Sequence, residues 1–119
     1  MKTRIVVKTS FEGLHQYVDA PEEVSFLRQP HRHMFDVEVE MDVFHDDREL
    51  EFIIVKRALN DFLQNKSFDI QSSCEQMCEA IIEFLIDRFG ERQMIVSVYE
   101  DGENGGKVYY EFEWVSTIR

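Results

Sequence analysis

Patterns of apolar and polar residues typical of β-strands occupy four segments of the chain. The alternation is strict over residues 34–44, and its period of two predicts a strand with one buried face. The apolar side consists of Phe35, Val37, Val39, Met41 and Val43, and the acidic side of Asp36, Glu38, Glu40 and Asp42. Residues 3–11, 93–100 and 107–117 are also β-like, and the turn-rich residues 101–106 join the last two of these segments.

Two segments between the second and third predicted strands have helical spacing. Residues 49–64 carry an apolar stripe, and Asp47 is the candidate N-cap of this helix. The next helix begins at a capping-box pattern, Ser72-Ser73-Cys74-Glu75, and ends at Gly90. The order ββααββ predicts an α+β fold, in which an antiparallel four-stranded sheet carries two helices on one face.

Both sides of the last predicted strand contain apolar residues. Alternation places Val108, Tyr110, Phe112 and Trp114 on one side, and Tyr109, Glu111, Glu113 and Val115 on the other. Because even the polar side carries a tyrosine and a valine, we expect another subunit to cover it. Sheets with free edges are usually paired or covered, so we expect a homo-oligomer.

Composition limits the classes of function. The 119 residues make one domain, 1–119, and 13 basic against 24 acidic residues give a net charge of −11. This charge repels a phosphate backbone, so we expect no nucleic-acid partner. The longest apolar run, Phe52–Val55, is far shorter than the ~20 residues of a membrane-spanning helix, and the N-terminus has no signal-peptide pattern. We therefore expect a cytosolic protein without a membrane partner, with Cys74 and Cys78 as buried, reduced thiols on the apolar stripe of the second helix.

Three histidines are candidate metal ligands. His31 and His33 continue the apolar row of the 34–44 strand, and side chains two apart on a strand point the same way. His15 follows the neighbouring strand, and a return through residues 16–30 would bring it beside the pair. Three neutral imidazoles around Zn²⁺ leave a fourth position open, as in catalytic zinc sites. The alternative is three histidines that are satisfied without a metal.

These residues resemble the 6-pyruvoyl-tetrahydropterin synthase and 6-carboxy-tetrahydropterin synthase family. The resemblance begins with Phe11-Glu12-x-x-His15 and continues with His31-x-His33 at the start of an alternating strand. Weaker similarities follow in the same order as in the family: Glu51-Phe52, Ser73-Cys74-Glu75 and Val98-Tyr99-Glu100. Together they cover nearly the whole chain.

The resemblance implies a tunnelling fold, or T-fold, whose subunits form a trimeric barrel, often doubled to a hexamer, with ligand sites between subunits. It also implies Zn²⁺ on His15, His31 and His33, where the metal acts as a Lewis acid on a reduced pterin. Glu100 matches the residue that anchors the pterin ring, and two carboxylate oxygens suit its adjacent N–H and amino donors. Ser73 would either add a hydrogen bond to the ring or cap the helix.

The chain also departs from the family pattern. Residues 24–30 lack the cysteine that serves as general base in the family, and residues 65–70 contain Asp69 but no histidine partner for it. Arg32 stands where the family usually has glycine. Loss of one catalytic base costs ~10²- to 10⁴-fold in rate. His45 and Asp69 are the candidate proton carriers, although the turn beside Asp46 and Asp47 is the simpler interpretation of His45.

Two classes of function remain open from the sequence. The first is a zinc-dependent pterin synthase-like protein that acts on a reduced pterin such as dihydroneopterin triphosphate. The second is a non-catalytic protein that binds or sequesters a pterin-like or guanine-like ligand, since guanine shares the donor edge that Glu100 would recognise. A third interpretation, in which the histidines have no ligand and the assembly itself is the function, predicts no tightly bound zinc.

Overall fold

The computed structural model describes residues 1–66 and 68–112. It confirms an α+β architecture with a four-stranded antiparallel sheet and two helices, plus a short 3₁₀ segment at Glu22–Arg28. The strands are β1 (Thr3–His15), β2 (His31–Val43), β3 (Met94–Glu100) and β4 (Gly105–Tyr110), and the helices are α1 (Phe52–Asn65) and α2 (Cys74–Phe89). No helix among the described residues is long and apolar enough to cross a membrane.

The strands lie in chain order, β1-β2-β3-β4, and each pairs antiparallel with the next. β1 continues four residues beyond the predicted end at residue 11, so His15 belongs to the strand rather than to the loop after it. β2 begins at His31, three residues earlier than predicted. Both extensions lie at the same end of the β1–β2 ladder, where His15 pairs with His31.

One face of the sheet forms the core. It contributes Phe35, Val37, Val39 and Met41 from β2, and Met94, Val96 and Val98 from β3, all essentially without solvent exposure. α1 packs mainly on β1, and α2 packs on β3 and β4, so both helices cover this same face. Cys74 and Cys78 are buried free thiols of α2, as predicted.

Both helix starts differ in detail from the sequence prediction. Asp47 is not the N-cap of α1: residues 46–48 form a turn, Arg48 has φ 58°, and the helix is capped by Glu51, which accepts from the Ile53 N–H at 2.6 Å. The acid closest to the first helical turn is the one whose carboxylate reaches the free backbone N–H groups. The capping box of α2 lies one residue later than predicted, on Ser73 and Gln76.

The outer face of the sheet carries the acidic row of β2 together with exposed apolar side chains. Val6, Leu14, Met34 and Tyr109 are each at least 45% exposed. β4 ends at Tyr110, so the predicted strand to residue 117 is wrong for residues 111 and 112. The predicted positions of Trp114 and Val115 lie outside the described residues.

Candidate metal centre

Strand register brings the three predicted ligands to one place. His15 of β1 lies opposite His31 of β2, and His33 lies opposite Gly13, which has no side chain. A Cβ at position 13 would approach the Phe35 ring to 3.2 Å, so glycine allows this ring to pack closely against β1. All three imidazoles point to the face covered by the helices.

The three rings converge on a common point. The ring centroids of His31 and His33 are 4.7 Å apart, those of His15 and His31 are 5.3 Å apart, and those of His15 and His33 are 6.2 Å apart. One nitrogen from each ring lies within 4.8 Å of the other two. Three zinc-bound nitrogens at about 2.0–2.1 Å from the metal are roughly 3.4 Å apart in a tetrahedral site, so small side-chain rotations suffice.

The hydrogen bonds of each ring leave one nitrogen free. Nδ1 of His31 lies 2.9 Å from the Gln29 carbonyl oxygen, and Nδ1 of His33 lies 2.7 Å from Oδ2 of Asp101. His15 makes a hydrogen bond to the backbone of Ser72. The remaining nitrogens, His15 Nδ1, His31 Nε2 and His33 Nε2, are buried without a hydrogen-bond partner. Such outer contacts fix the tautomer of metal-binding histidines.

Glu100 lies beside the free nitrogens. Its Oε2 is 3.1 Å from His15 Nδ1 and 3.7 Å from His33 Nε2, close enough for ion pairs but without hydrogen-bond geometry to either ring. Burial lowers the pKa of His15, against the opposing charge of Glu100. A neutral His15 has the lone pair that a metal ion requires.

A cavity of about 490 Å³ opens next to the cluster. Its lining includes His15, Glu100 and Ser73, so two predicted ligand-binding residues and one predicted metal ligand share it. This volume lies in the range of small-molecule sites. The Ser73 hydroxyl oxygen caps α2 by accepting from the Gln76 N–H at 3.1 Å, which leaves its O–H as a donor.

Cys74 also lines this cavity, and the sequence prediction assigned it no chemistry. Burial, together with the charges of Glu100 and Glu75, raises the pKa of this thiol to about 11, so it is protonated at neutral pH. Cys74 is the first residue of α2 and follows the N-cap Ser73, which lines the same cavity. Cys78, one turn further along, is buried, and its pKa is raised to about 12.

The two candidate proton carriers lie elsewhere. His45 follows the far end of β2, and a strand of 13 residues spans roughly 40 Å at about 3.3 Å per residue. Its Nδ1 accepts from the Asp47 N–H at 3.2 Å, as the turn interpretation predicts. Asp69 is exposed and accepts from the Gln71 N–H at 2.8 Å. Neither residue lines the cavity.

A second cavity, of about 540 Å³, lies between β1 and the end of α1. Phe11, Phe35 and Phe68 contribute much of its lining, and none of the three histidines does. It is slightly larger than the cavity beside Glu100 but has no comparable group of converging polar atoms. The predicted ligand-binding residues Ser73 and Glu100 therefore line the cavity at the histidine end and not this one.

The donor set fits a borderline divalent metal. Imidazole nitrogens suit Zn²⁺ as well as other first-row metals, and three of them with an open side match a zinc site that accepts an outside ligand. Comparison with known proteins adds no assignment, because no protein-family model matches the chain and no curated protein matches it.

Proposed function

We propose that this chain is a zinc-dependent T-fold protein, similar to the 6-pyruvoyl- and 6-carboxy-tetrahydropterin synthases, that takes a reduced pterin such as dihydroneopterin triphosphate. One observation carries the proposal: three imidazoles from two paired strands each direct a buried, unpartnered nitrogen to the same place. An unsatisfied buried polar atom costs free energy, and a bound metal ion would satisfy all three at once. Zinc bound there would supply a Lewis acid for the oxygen atoms of the pterin side chain.

The cavity beside the histidines supports a heterocyclic ligand. Glu100 combines a position at the cavity wall with a side chain that is 30% exposed, so its carboxylate is accessible. A carboxylate accepts two charge-assisted hydrogen bonds from the adjacent N–H and amino groups of a pterin ring. The free O–H of Ser73 adds a donor within the same cavity.

The second candidate is a non-catalytic protein that binds or sequesters a pterin-like or guanine-like molecule. One group of observations favours it: His45 and Asp69 are outside the cavity, and the thiol of Cys74 inside it has a pKa of about 11. General-base catalysis works best with a pKa near the working pH. The described cavity residues therefore support recognition more strongly than proton abstraction.

The same proposal includes a cytosolic homo-oligomer, a trimer or hexamer, in which the outer face of the sheet meets other subunits. Exposed Val6, Leu14 and Met34 on that face support it, because they lie among polar side chains and lose solvent contact on assembly. Light scattering coupled to size-exclusion chromatography is expected to give three or six times the mass of one chain. A monomer at micromolar concentration contradicts this part.

The function is tested first by metal content and then by ligand binding. Mass spectrometry of the purified protein is expected to find one zinc per chain. Calorimetry of the zinc-loaded protein is expected to detect binding of a reduced pterin. The affinity is expected to fall about 10- to 100-fold in Glu100→Gln, because this variant loses charged hydrogen bonds. Glu12→Gln, on the outer face, is the matched control and is expected to bind normally.

Two further outcomes separate the candidates. A time-dependent change in pterin absorbance supports the enzyme, whereas stable binding without turnover, or competition by guanosine triphosphate, supports the binding protein. A zinc-free protein, or unaltered pterin affinity in Glu100→Gln, contradicts both.

A further inference from the structure

Asp101 uses both carboxylate oxygens on the histidine strand. Oδ2 lies 2.7 Å from Nδ1 of His33, and Oδ1 accepts from the Met34 N–H at 2.9 Å. The backbone N–H of Asp101 in turn donates to the Met34 carbonyl at 2.7 Å. These three contacts tie the turn between β3 and β4 to the beginning of β2, beside the free nitrogen of His33.

The turn itself explains only part of this arrangement. Asp101 and Gly102 have φ values of 53° and 70°, and the Glu103 N–H donates to the Glu100 carbonyl at 2.9 Å. Asp-Gly at the centre of a tight hairpin turn commonly adopts such positive φ values. Asparagine or glycine would serve this backbone equally well, so the turn does not require the carboxylate that contacts His33.

We propose that Asp101 is a positioning residue that fixes the tautomer and orientation of His33. This inference rests on the metal binding proposed above. A neutral imidazole carries one N–H and one lone pair. Because the Asp101 carboxylate accepts from Nδ1–H, the lone pair of His33 is held on Nε2, the buried nitrogen that has no hydrogen-bond partner among the described residues and lies 3.7 Å from Glu100 Oε2. His31 and His15 are held by backbone groups, of Gln29 and Ser72, whereas the partner of His33 Nδ1 is a side chain that mutation can change.

Two substitutions separate this role from the turn. Asp101→Gly and Asp101→Asn both permit positive φ, so the turn is expected to keep its conformation in the metal-free protein. The thermal midpoint is expected to fall modestly in Asp101→Gly, which loses the carboxylate contact to the Met34 N–H. Zinc affinity, measured by competition with a chromophoric chelator, is expected to fall about 10- to 100-fold in Asp101→Gly, the usual cost of losing an outer-shell partner. Asp101→Asn keeps one acceptor oxygen, so its zinc affinity is expected to lie between that of the wild type and that of Asp101→Gly. Glu103→Gln, which removes a charge from the same turn, is expected to bind zinc as the wild type does.

A second readout needs no metal. Nitrogen-15 chemical shifts of the His33 ring report which nitrogen carries the proton, and the wild type is expected to show Nδ1–H. In Asp101→Gly the population is expected to shift towards Nε2–H. Unchanged zinc affinity and an unchanged tautomer in that variant would overturn the positioning role. A wild-type protein that binds no zinc overturns the proposed function instead, and the tautomer measurement then still decides the role of Asp101.

Discussion

The two ends of the sheet both hold buried polar side chains, but the two ends differ in how many of the buried polar atoms have partners among the described residues. At the far end, Arg92 is 5% exposed and donates to Glu49 at 2.7 Å, to the Phe89 carbonyl at 2.7 Å and to the Asp42 carbonyl at 3.2 Å. Its guanidinium also lies 4.7 Å from the centre of the Phe44 ring. At the histidine end, one nitrogen of each of the three rings has no hydrogen-bond partner among the described residues, although Glu100 Oε2 lies 3.1 Å from His15 Nδ1.

This difference distinguishes the Arg92 cluster from the proposed metal site. The Arg92 cluster pairs its charge with Glu49 and leaves one nitrogen, Nε, without a partner. Its hydrogen bonds hold the end of α2 against β2 and need nothing from outside the chain. In the histidine cluster each ring keeps one nitrogen without a hydrogen-bond partner among the described residues, and His15 also lines a cavity, so the cluster has donor atoms for an added group. The two ends thus differ in how many buried polar atoms lack hydrogen-bond partners, a difference that residue type alone does not show.

The largest effect is expected from His33→Ala. Removing one of three protein ligands is expected to lower zinc affinity by at least ~100-fold, or about 2.8 kcal/mol, which exceeds the loss of an outer-shell partner. Chelator competition measures this directly. His45→Ala is the control from the other end of the sheet, since His45 contacts only its own turn. Equal zinc affinity in the two variants would remove the distinction between the ends.

Zinc is expected to stabilise the folded protein by slightly less than the binding free energy that His33→Ala loses. A ligand that binds only the folded state adds about 2.7 kcal/mol to the free energy of unfolding when its free concentration is 100 times its dissociation constant. Urea unfolding with and without zinc tests this for the wild type. The stabilisation is expected to disappear in His33→Ala and to persist in Glu49→Gln. Zinc stabilisation that survives His33→Ala would place the metal elsewhere.

Much of this architecture was predictable because local patterns and tertiary contacts agree. The period-two pattern around Phe35 and Val39 places alternate residues on one face, and the same period extends to His31 and His33. The histidine trio was therefore predictable from alternation plus antiparallel pairing of neighbouring strands. α1 begins later than predicted because Asp47 lies in the turn at residues 46–48 and Glu49 is bound to Arg92, which leaves Glu51 to cap the helix.

The contacts that orient the site were not predictable in the same way. Gln29 acts through a backbone carbonyl, and any residue type could occupy that position. Asp101 contacts His33 across 68 positions of sequence, through a turn whose conformation the Asp-Gly pair suggests but whose direction the sheet register determines. Cys74 lines the cavity because α2 packs on β3 and β4, and this packing is a property of the whole fold.

A substitution in the Arg92 cluster is expected to change the free energy of unfolding but not the zinc affinity. Glu49→Gln leaves the buried guanidinium without its charged partner, and a hydrogen bond to a charged group contributes about 1.5–3 kcal/mol. We expect the free energy of unfolding to fall by about 2 kcal/mol, with zinc affinity unchanged. Urea unfolding and chelator competition on the same preparation test both statements. Altered zinc affinity would mean that the two ends are coupled through the sheet.

The smallest expected effect is the loss, at acid pH, of the stability that the Glu49 carboxylate contributes. Burial alone would raise the pKa of Glu49, but hydrogen bonds from Arg92 and from the Phe44 N–H, with the charge of Arg92, lower it below its ordinary 4.5. A carboxyl with a lowered folded-state pKa contributes stability that is complete above its unfolded pKa and is lost as the pH falls through the folded one. The difference in unfolding free energy between the wild type and Glu49→Gln is therefore expected to be constant near neutrality and to shrink below about pH 4.5. A gap that stays constant down to pH 3 would show that packing of Glu49, rather than its charge, stabilises the Arg92 end.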